Sequence, residues 1–154
     1  MNILLFEYSQ SRMDIISTYK CLCDETRLRI LNVLKEGPLC VCHLQEVLEV
    51  GQVKISKQLS YLKKFDVLKS KRLNNWNIYE LTDKSNSILE NNLKCLQDCS
   101  QEMGIFKNDL ERLESLLNRI DLGEISCPAE IEKLSRGASS SRSHQIKNRK
   151  GLGC

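Results

Sequence analysis

The sequence has few aromatic residues and no long apolar run, and each shortage removes a class of protein. Aromatic residues make up 5% of the 154 residues, so a core must be built mainly from leucine and isoleucine. No apolar stretch is long enough to span a bilayer, and the segment before Glu7 is too short for a signal-peptide core. We therefore expect a cytoplasmic protein that does not enter a membrane.

The residue types that carry catalysis are also scarce. Two histidines leave little capacity for acid–base chemistry, and no nucleophile, base and orienting group stand in a recognisable arrangement. No glycine-rich loop is present to hold a phosphate group. The sequence therefore predicts a protein that is not an enzyme and that uses no organic cofactor.

Positive charge is concentrated in two segments of the chain. Between Gly51 and Arg72 there are seven basic residues and one acid, and between Lys133 and Lys150 there are six basic residues and no acid. Because the net charge is only +3, the remainder of the chain is acidic. A basic surface on an acidic body is typical of a protein that binds a polyanion at one face.

Eight cysteines are many for a chain of this length. Thiols in the cytosol stay reduced, so cysteines at unusual spacings indicate soft-ion binding or redox sensing rather than disulfide bonds. Cys40 and Cys42 stand one residue apart after a Gly-Pro break, and Cys95 and Cys99 stand four residues apart in a helical pattern. These two pairs are the candidate metal ligands.

Apolar periodicity predicts a mainly α-helical domain over residues 13–122, with residues 1–12 as an N-terminal extension and 123–154 as a flexible basic tail. Asp24 is a suitable N-cap for the second helix, and the Gly37-Pro38 pair ends it. The next two helices are joined by a turn at Gly51 and form a helix-turn-helix. The first, third and fourth predicted helices cover about residues 14–22, 41–49 and 52–65, and the second follows the Asp24 cap and ends before the Gly37-Pro38 break.

Two further elements follow the helix-turn-helix. Residues 67–81 predict a small β-hairpin that turns at Asn74-Asn75. A long helical segment then opens at Thr82-Asp83, and its apolar side chains form a heptad-like seam interrupted only by Gly104. A seam of this length exceeds what a small domain covers alone, so we expect a dimer formed through the terminal helices. The seam consists of Leu89, Leu93, Leu96, Met103, Phe106, Leu110, Leu113, Leu117 and Ile120.

The order of four helices followed by a hairpin predicts a winged helix-turn-helix. In this fold the second helix of the motif enters the major groove of DNA, and the hairpin wing lies along the flanking backbone. With Ile55, Leu59 and Leu62 facing the core, the other side of the 52–65 helix is polar and basic. The predicted DNA contacts are Gln52, Lys54, Ser56, Lys57, Ser60 and Tyr61 on this helix and Lys69, Lys71 and Arg72 on the wing.

The segment CLCDETRLRILNVLKEGPLCVCHLQEVLEVGQVKISKQLSYLKKFDVLKSKRLNNWNIYEL resembles the ArsR/SmtB family of metal-sensing winged-helix repressors. The DETRLRIL helix, the SKQL recognition helix and the wing match in order and spacing, and the resemblance extends over about residues 14–117. It implies a homodimer that sits on double-stranded operator DNA without metal and releases it when an inducer binds.

The stretch LCVCHL is similar to the thiol motif of the arsenic-responsive branch, whose cysteines bind trivalent arsenic or antimony. The resemblance makes Cys40 and Cys42 the ligands of an As(III) or Sb(III) inducer, and thiolates are the ligands that select soft ions. Side chains two positions apart on an α-helix point about 200° apart. We therefore expect binding at both cysteines to deform the helix start and misplace the recognition helix.

The third ligand is open, because Gln45 occupies the place of the family's third cysteine. Cys95 and Cys99 are either ligands or core residues, and a tail cysteine, Cys127 or Cys154, is a further source of a thiolate. His43 is expected on the surface as an imperfect substitute, since imidazole suits zinc better than arsenic. The alternative functions are a thiol-redox switch and a cadmium- or zinc-responsive repressor on the same fold.

Overall fold

The computed structural model describes residues 15–83, 87–100, 102 and 104–125. The predicted N-terminal extension, most of the predicted tail, Cys127, Cys154 and Met103 lie outside the described residues. No helix of the described part combines the length and apolar character needed to cross a membrane.

Four helices form the first half of the domain. Asp24 precedes the second of them in an extended conformation, and its carboxylate accepts a hydrogen bond from the Arg27 backbone N–H at 2.9 Å. This is the N-cap expected from the sequence. The third helix is followed by its C-cap Glu49, whose positive φ of 52° reverses the chain before the fourth. The helices are α1 (Ile15–Leu22), α2 (Glu25–Leu34), α3 (Val41–Leu48) and α4 (Gln52–Lys64).

The predicted hairpin is confirmed and gains a third strand. β2 (Leu68–Leu73) and β3 (Trp76–Leu81) pair antiparallel, and Asn74 takes the left-handed φ of 52° that the tight turn requires. A two-residue strand, β1 (Leu39–Cys40), pairs antiparallel with the other side of β3. The sheet order is therefore β1-β3-β2, and the chain passes directly from β1 into α3.

The prediction of one long C-terminal helical segment was wrong. The structure has two helices, α5 (Ser87–Ser100) and α6 (Gly104–Asp121), and Gly104 begins the second instead of lying inside a continuous helix. The break allows α6 to pack against α3 and α2 of the same chain. Phe106 and Leu113 are each 2% exposed, so this part of the seam is covered without a partner helix.

Two buried charged residues and one half-buried arginine hold the C-terminal end of α3. Asp109 of α6 is fully buried and accepts two hydrogen bonds from Arg29 of α2, both at 2.7 Å, and one from Arg112 at 2.6 Å. The same arginines donate at 2.6 Å to the carbonyls of Leu48 and Val47, which end α3. The hydrogen bond to Asp109 raises the pKa of Arg29, so the Arg29 guanidinium stays charged. We refer to Arg29, Asp109 and Arg112 as the arginine clamp.

Candidate thiol site and nucleic-acid interface

The Cys40–Cys42 pair lies where the sheet passes into the helix-turn-helix. Cys40 pairs with Ile78 as the last residue of β1 and is also the N-cap of α3, with the extended angles φ −88° and ψ 166°. Cys42 lies in the first turn of α3, and the two Sγ atoms are 2.8 Å apart. The expected 200° separation was therefore wrong. It applies to two helical residues, whereas the extended N-cap turns the Cys40 sulfur towards that of Cys42.

The two thiols differ in exposure. Cys40 is 1% exposed and belongs to the core, whereas Cys42 is exposed. A dissolved ion therefore reaches the pair from the side of Cys42. Neither cysteine forms a disulfide bond.

His43 lies in the interior, contrary to the expectation that it lies on the surface. Its side chain is 2% exposed, and its ring centroid is 6.3 Å from that of Trp76 at the start of β3. Burial lowers the pKa of His43, so its imidazole is neutral at pH 7. The ligand atoms of Cys40, Cys42 and His43 all lie within 4.8 Å of one another.

Cys95 and Cys99 form a separate pair on α5. Both are exposed, so neither belongs to the core of the single chain. Cys95 raises the pKa of Cys99, because one thiolate disfavours a second one beside it. Within the ranges 15–83, 87–100 and 104–125, neither sulfur joins the group around Cys40. The structure thus does not assemble a three-thiolate site from the two pairs inside one chain.

The recognition-helix prediction agrees with the exposure of α4. Ile55, Leu59 and Leu62 are fully buried, as expected for its inner face. Val53 is 85% exposed and extends the outer face, although it was not predicted there because only polar side chains were considered. Of the six predicted contacts on this helix, Gln52, Lys54, Lys57 and Ser60 are exposed, and Ser56 and Tyr61 are half-buried.

Arg27 explains why Tyr61 is half-buried. The Arg27 guanidinium lies 4.4 Å from the centre of the Tyr61 ring and donates to Gln58 Oε1 of α4 at 2.9 Å. It also donates to the carbonyls of Lys20 and Cys21 near the end of α1. Arg27 therefore fixes α4 relative to α1 and α2. Its role could not be found from the sequence, because Gln58 is 31 residues away.

The three basic residues predicted on the wing are not equivalent. Lys71 and Arg72 are exposed on β2, near the turn of the hairpin. Lys69 is half-buried and forms ion pairs with Asp83 at 2.5 Å and Glu80 at 3.4 Å. The charge of Lys69 is thus compensated within the chain, which makes Lys69 a weaker candidate for a phosphate contact.

Comparison with known proteins identifies the family of this chain. Residues 24–70 match the family described as bacterial regulatory protein, arsR family. The chain is 35% identical over 80 residues to the arsenical resistance operon repressor of Bacillus subtilis, and the alignment covers 51% of this chain and 76% of that protein. The chain belongs to the ArsR family. The ArsR/SmtB resemblance seen in the sequence is thereby confirmed.

Two further comparisons are with proteins named as transcription regulators. The arsenic resistance transcriptional regulator ArsR1 of Pseudomonas putida is 39% identical over 85 residues, which cover 54% of this chain and 66%, just under two thirds, of that relative. The crystal structure of the AntR antimony-specific transcriptional repressor matches with a TM-score of 0.51 and 25% identity, covering 59% of this chain and 80% of that chain. The winged helix-turn-helix fold and the assignment to transcription regulation are confirmed.

Proposed function

We propose that this ArsR-family regulator represses transcription by binding double-stranded operator DNA and releases it when trivalent arsenic or antimony binds Cys40 and Cys42. The observation that carries the proposal is the convergence of the two sulfurs, 2.8 Å apart, at the junction of the wing sheet and the helix-turn-helix. Thiolates are the protein ligands that select soft ions. Two relatives are named for arsenic or arsenical resistance and a third as an antimony-specific repressor, which supports this choice of inducer.

The geometry suggests how binding is transmitted to the DNA-reading elements. An ion bound by both thiolates fixes the distance between the two sulfurs, which are in direct contact without it. Cys40 is paired to β3 of the wing, and Cys42 belongs to α3. The bound ion therefore couples the start of α3 to the wing, while the arginine clamp holds the other end of α3.

The DNA-binding unit is proposed to be a homodimer, since one winged domain covers only a half-site. The supporting observation is an exposed apolar surface on α1, which packs beside α5. Ile15, Ile16 and Tyr19 are 50%, 55% and 47% exposed, respectively. Sedimentation equilibrium that finds only monomer at concentrations saturating the operator would contradict the dimer.

Replacement of Lys54 and Lys57 by alanine is expected to weaken operator binding by at least tenfold. Each charge-assisted contact to a base or phosphate contributes about 1–3 kcal/mol, and both residues are exposed on α4. Fluorescence anisotropy with a labelled fragment of the upstream DNA, at fixed salt, measures the loss. Lys94→Ala with Lys107→Ala removes the same charge from the exposed surfaces of α5 and α6. An equal loss in that control, or a lost helical circular dichroism signal, rejects the assignment.

The choice of inducer is tested by titrating the protein–DNA complex with arsenite, antimonite, cadmium, zinc and hydrogen peroxide in parallel. Arsenite or antimonite is expected to release the DNA near one equivalent per thiol pair, because both ions form strong bonds to thiolates. Release by peroxide alone would favour the thiol-redox alternative. Failure of both trivalent ions to release bound DNA would refute the proposed inducer.

A further inference from the structure

We infer that His43 completes a three-donor site with Cys40 and Cys42 that binds a divalent thiophilic cation of the Cd²⁺ and Zn²⁺ class. The inference rests on the proposed thiol site and adds a second class of ion to it. It assigns to His43 a role that the thiol motif does not contain. The two ion classes then differ in their use of one side chain, since the divalent cation needs the imidazole and the trivalent ion does not.

The spacing of the three donors fits one ion. A tetrahedral zinc ion with Zn–S bonds near 2.3 Å and Zn–N bonds near 2.0–2.1 Å holds its ligand atoms about 3.5–4 Å apart. The ligand atoms of Cys40, Cys42 and His43 lie within 4.8 Å of one another. The backbone therefore already places all three donors near a common centre.

The position of His43 distinguishes it from a surface histidine that happens to stand beside the motif. The side chain is 2% exposed, although it lies in the first turn of a helix whose neighbouring Cys42 is exposed. An imidazole and two thiolates are a usual donor set for zinc and cadmium. Trivalent arsenic gains little from the imidazole, because its affinity is for sulfur.

The chain contains its own reporter of this site. Trp76 is the single tryptophan of the sequence, and its ring centroid lies 6.3 Å from that of His43. A cation bound to His43 changes the environment of this indole. Trp76 fluorescence therefore reports occupancy of the imidazole, while ultraviolet thiolate-to-metal charge-transfer absorption reports occupancy of the two sulfurs.

The test titrates the reduced full-length protein with Cd²⁺, Zn²⁺ and arsenite, in wild-type, His43→Gln, Cys42→Ser and His144→Gln forms. His43→Gln is expected to lower Cd²⁺ and Zn²⁺ affinity at least tenfold, with less than a threefold change for arsenite. His144→Gln replaces the other histidine of the chain and is expected to match wild type. X-ray absorption of the Zn²⁺-loaded wild type is expected to show two sulfur ligands and an imidazole.

Three outcomes overturn the inference. One is wild-type Cd²⁺ affinity in a folded His43→Gln protein, and another is an equal loss of arsenite affinity. The third is a Zn²⁺-loaded wild-type spectrum that lacks the imidazole, which decides the question even if His43→Gln does not fold. Failure of the thiol site itself is recognised separately, because Cys42→Ser would then bind arsenite as the wild type does.

Discussion

Cys42→Ser is expected to bind operator DNA with wild-type affinity and to keep it at arsenite concentrations that fully release the wild-type protein. Serine preserves the shape of the side chain, but its hydroxyl is a hard and weak ligand for a soft ion. Cys42 is a better position for this test than Cys40, because Cys42 is exposed whereas Cys40 is part of the core. Arsenite titration of the labelled DNA complex measures the effect.

Substitutions of other cysteines provide the control for this experiment and define the outcome that would contradict it. Cys23 is also exposed, and Cys23→Ser should respond to arsenite as the wild type does. A wild-type response in Cys42→Ser, combined with a lost response in Cys95→Ser or Cys99→Ser, would place the sensor on α5. X-ray absorption then counts the arsenic–sulfur bonds in each variant. Two bonds from the protein would indicate that an external thiol supplies the third.

Asp109→Ala is expected to lower the free energy of unfolding by about 3–5 kcal/mol, the range found when one partner of a buried ion pair is removed. The substitution leaves the Arg29 guanidinium, in a residue only 7% exposed, without its carboxylate. It also removes the carboxylate that positions Arg29 and Arg112, whose guanidinium groups donate hydrogen bonds to the carbonyls at the end of α3. Because small domains are stable by about 5–15 kcal/mol, this is a large part of the total. Urea unfolding followed by circular dichroism measures the change.

A matched control separates the clamp from a general effect of losing an acid. Asp98 is exposed on α5, and Asp98→Ala should change the free energy of unfolding by less than about 0.5 kcal/mol. Asp109→Asn should fall between the two, since the amide keeps one hydrogen-bond acceptor. A loss below about 1 kcal/mol in Asp109→Ala would show that the clamp contributes little to stability.

The elements that the sequence predicts correctly are those whose signal is local. Asp24 precedes an amphipathic helix, and Asn74-Asn75 separates two strands, so the helices and the hairpin follow from neighbouring residues. β1 is different, because a two-residue strand has no period and exists only through its pairing with β3. The arginine clamp joins residues 80 positions apart, and no local pattern indicates it.

The sequence predicts which residues belong to the candidate site but not how they are arranged. Cys40 and Cys42 follow from the motif, whereas their convergence depends on one extended N-cap residue. The burial of His43 depends on packing with β3, which the sequence of α3 does not contain. Similarly, an apolar seam on α6 has the same periodicity whether a partner chain or the same chain covers it. The structure shows that the same chain covers much of it.

The shortness of β1 has a consequence for the concentration at which the protein responds. Only Leu39 and Cys40 join this edge strand to Tyr79 and Ile78, so few backbone contacts resist a displacement of the thiol site. Each further backbone pair between β1 and β3 would have to be broken at the expense of the free energy of ion binding. The length of this strand therefore influences the ion concentration at which the protein releases DNA. Variants that extend β1 would need more ion for release while their ligands stayed unchanged, and a weakened pairing would make the same ligands respond at lower concentration.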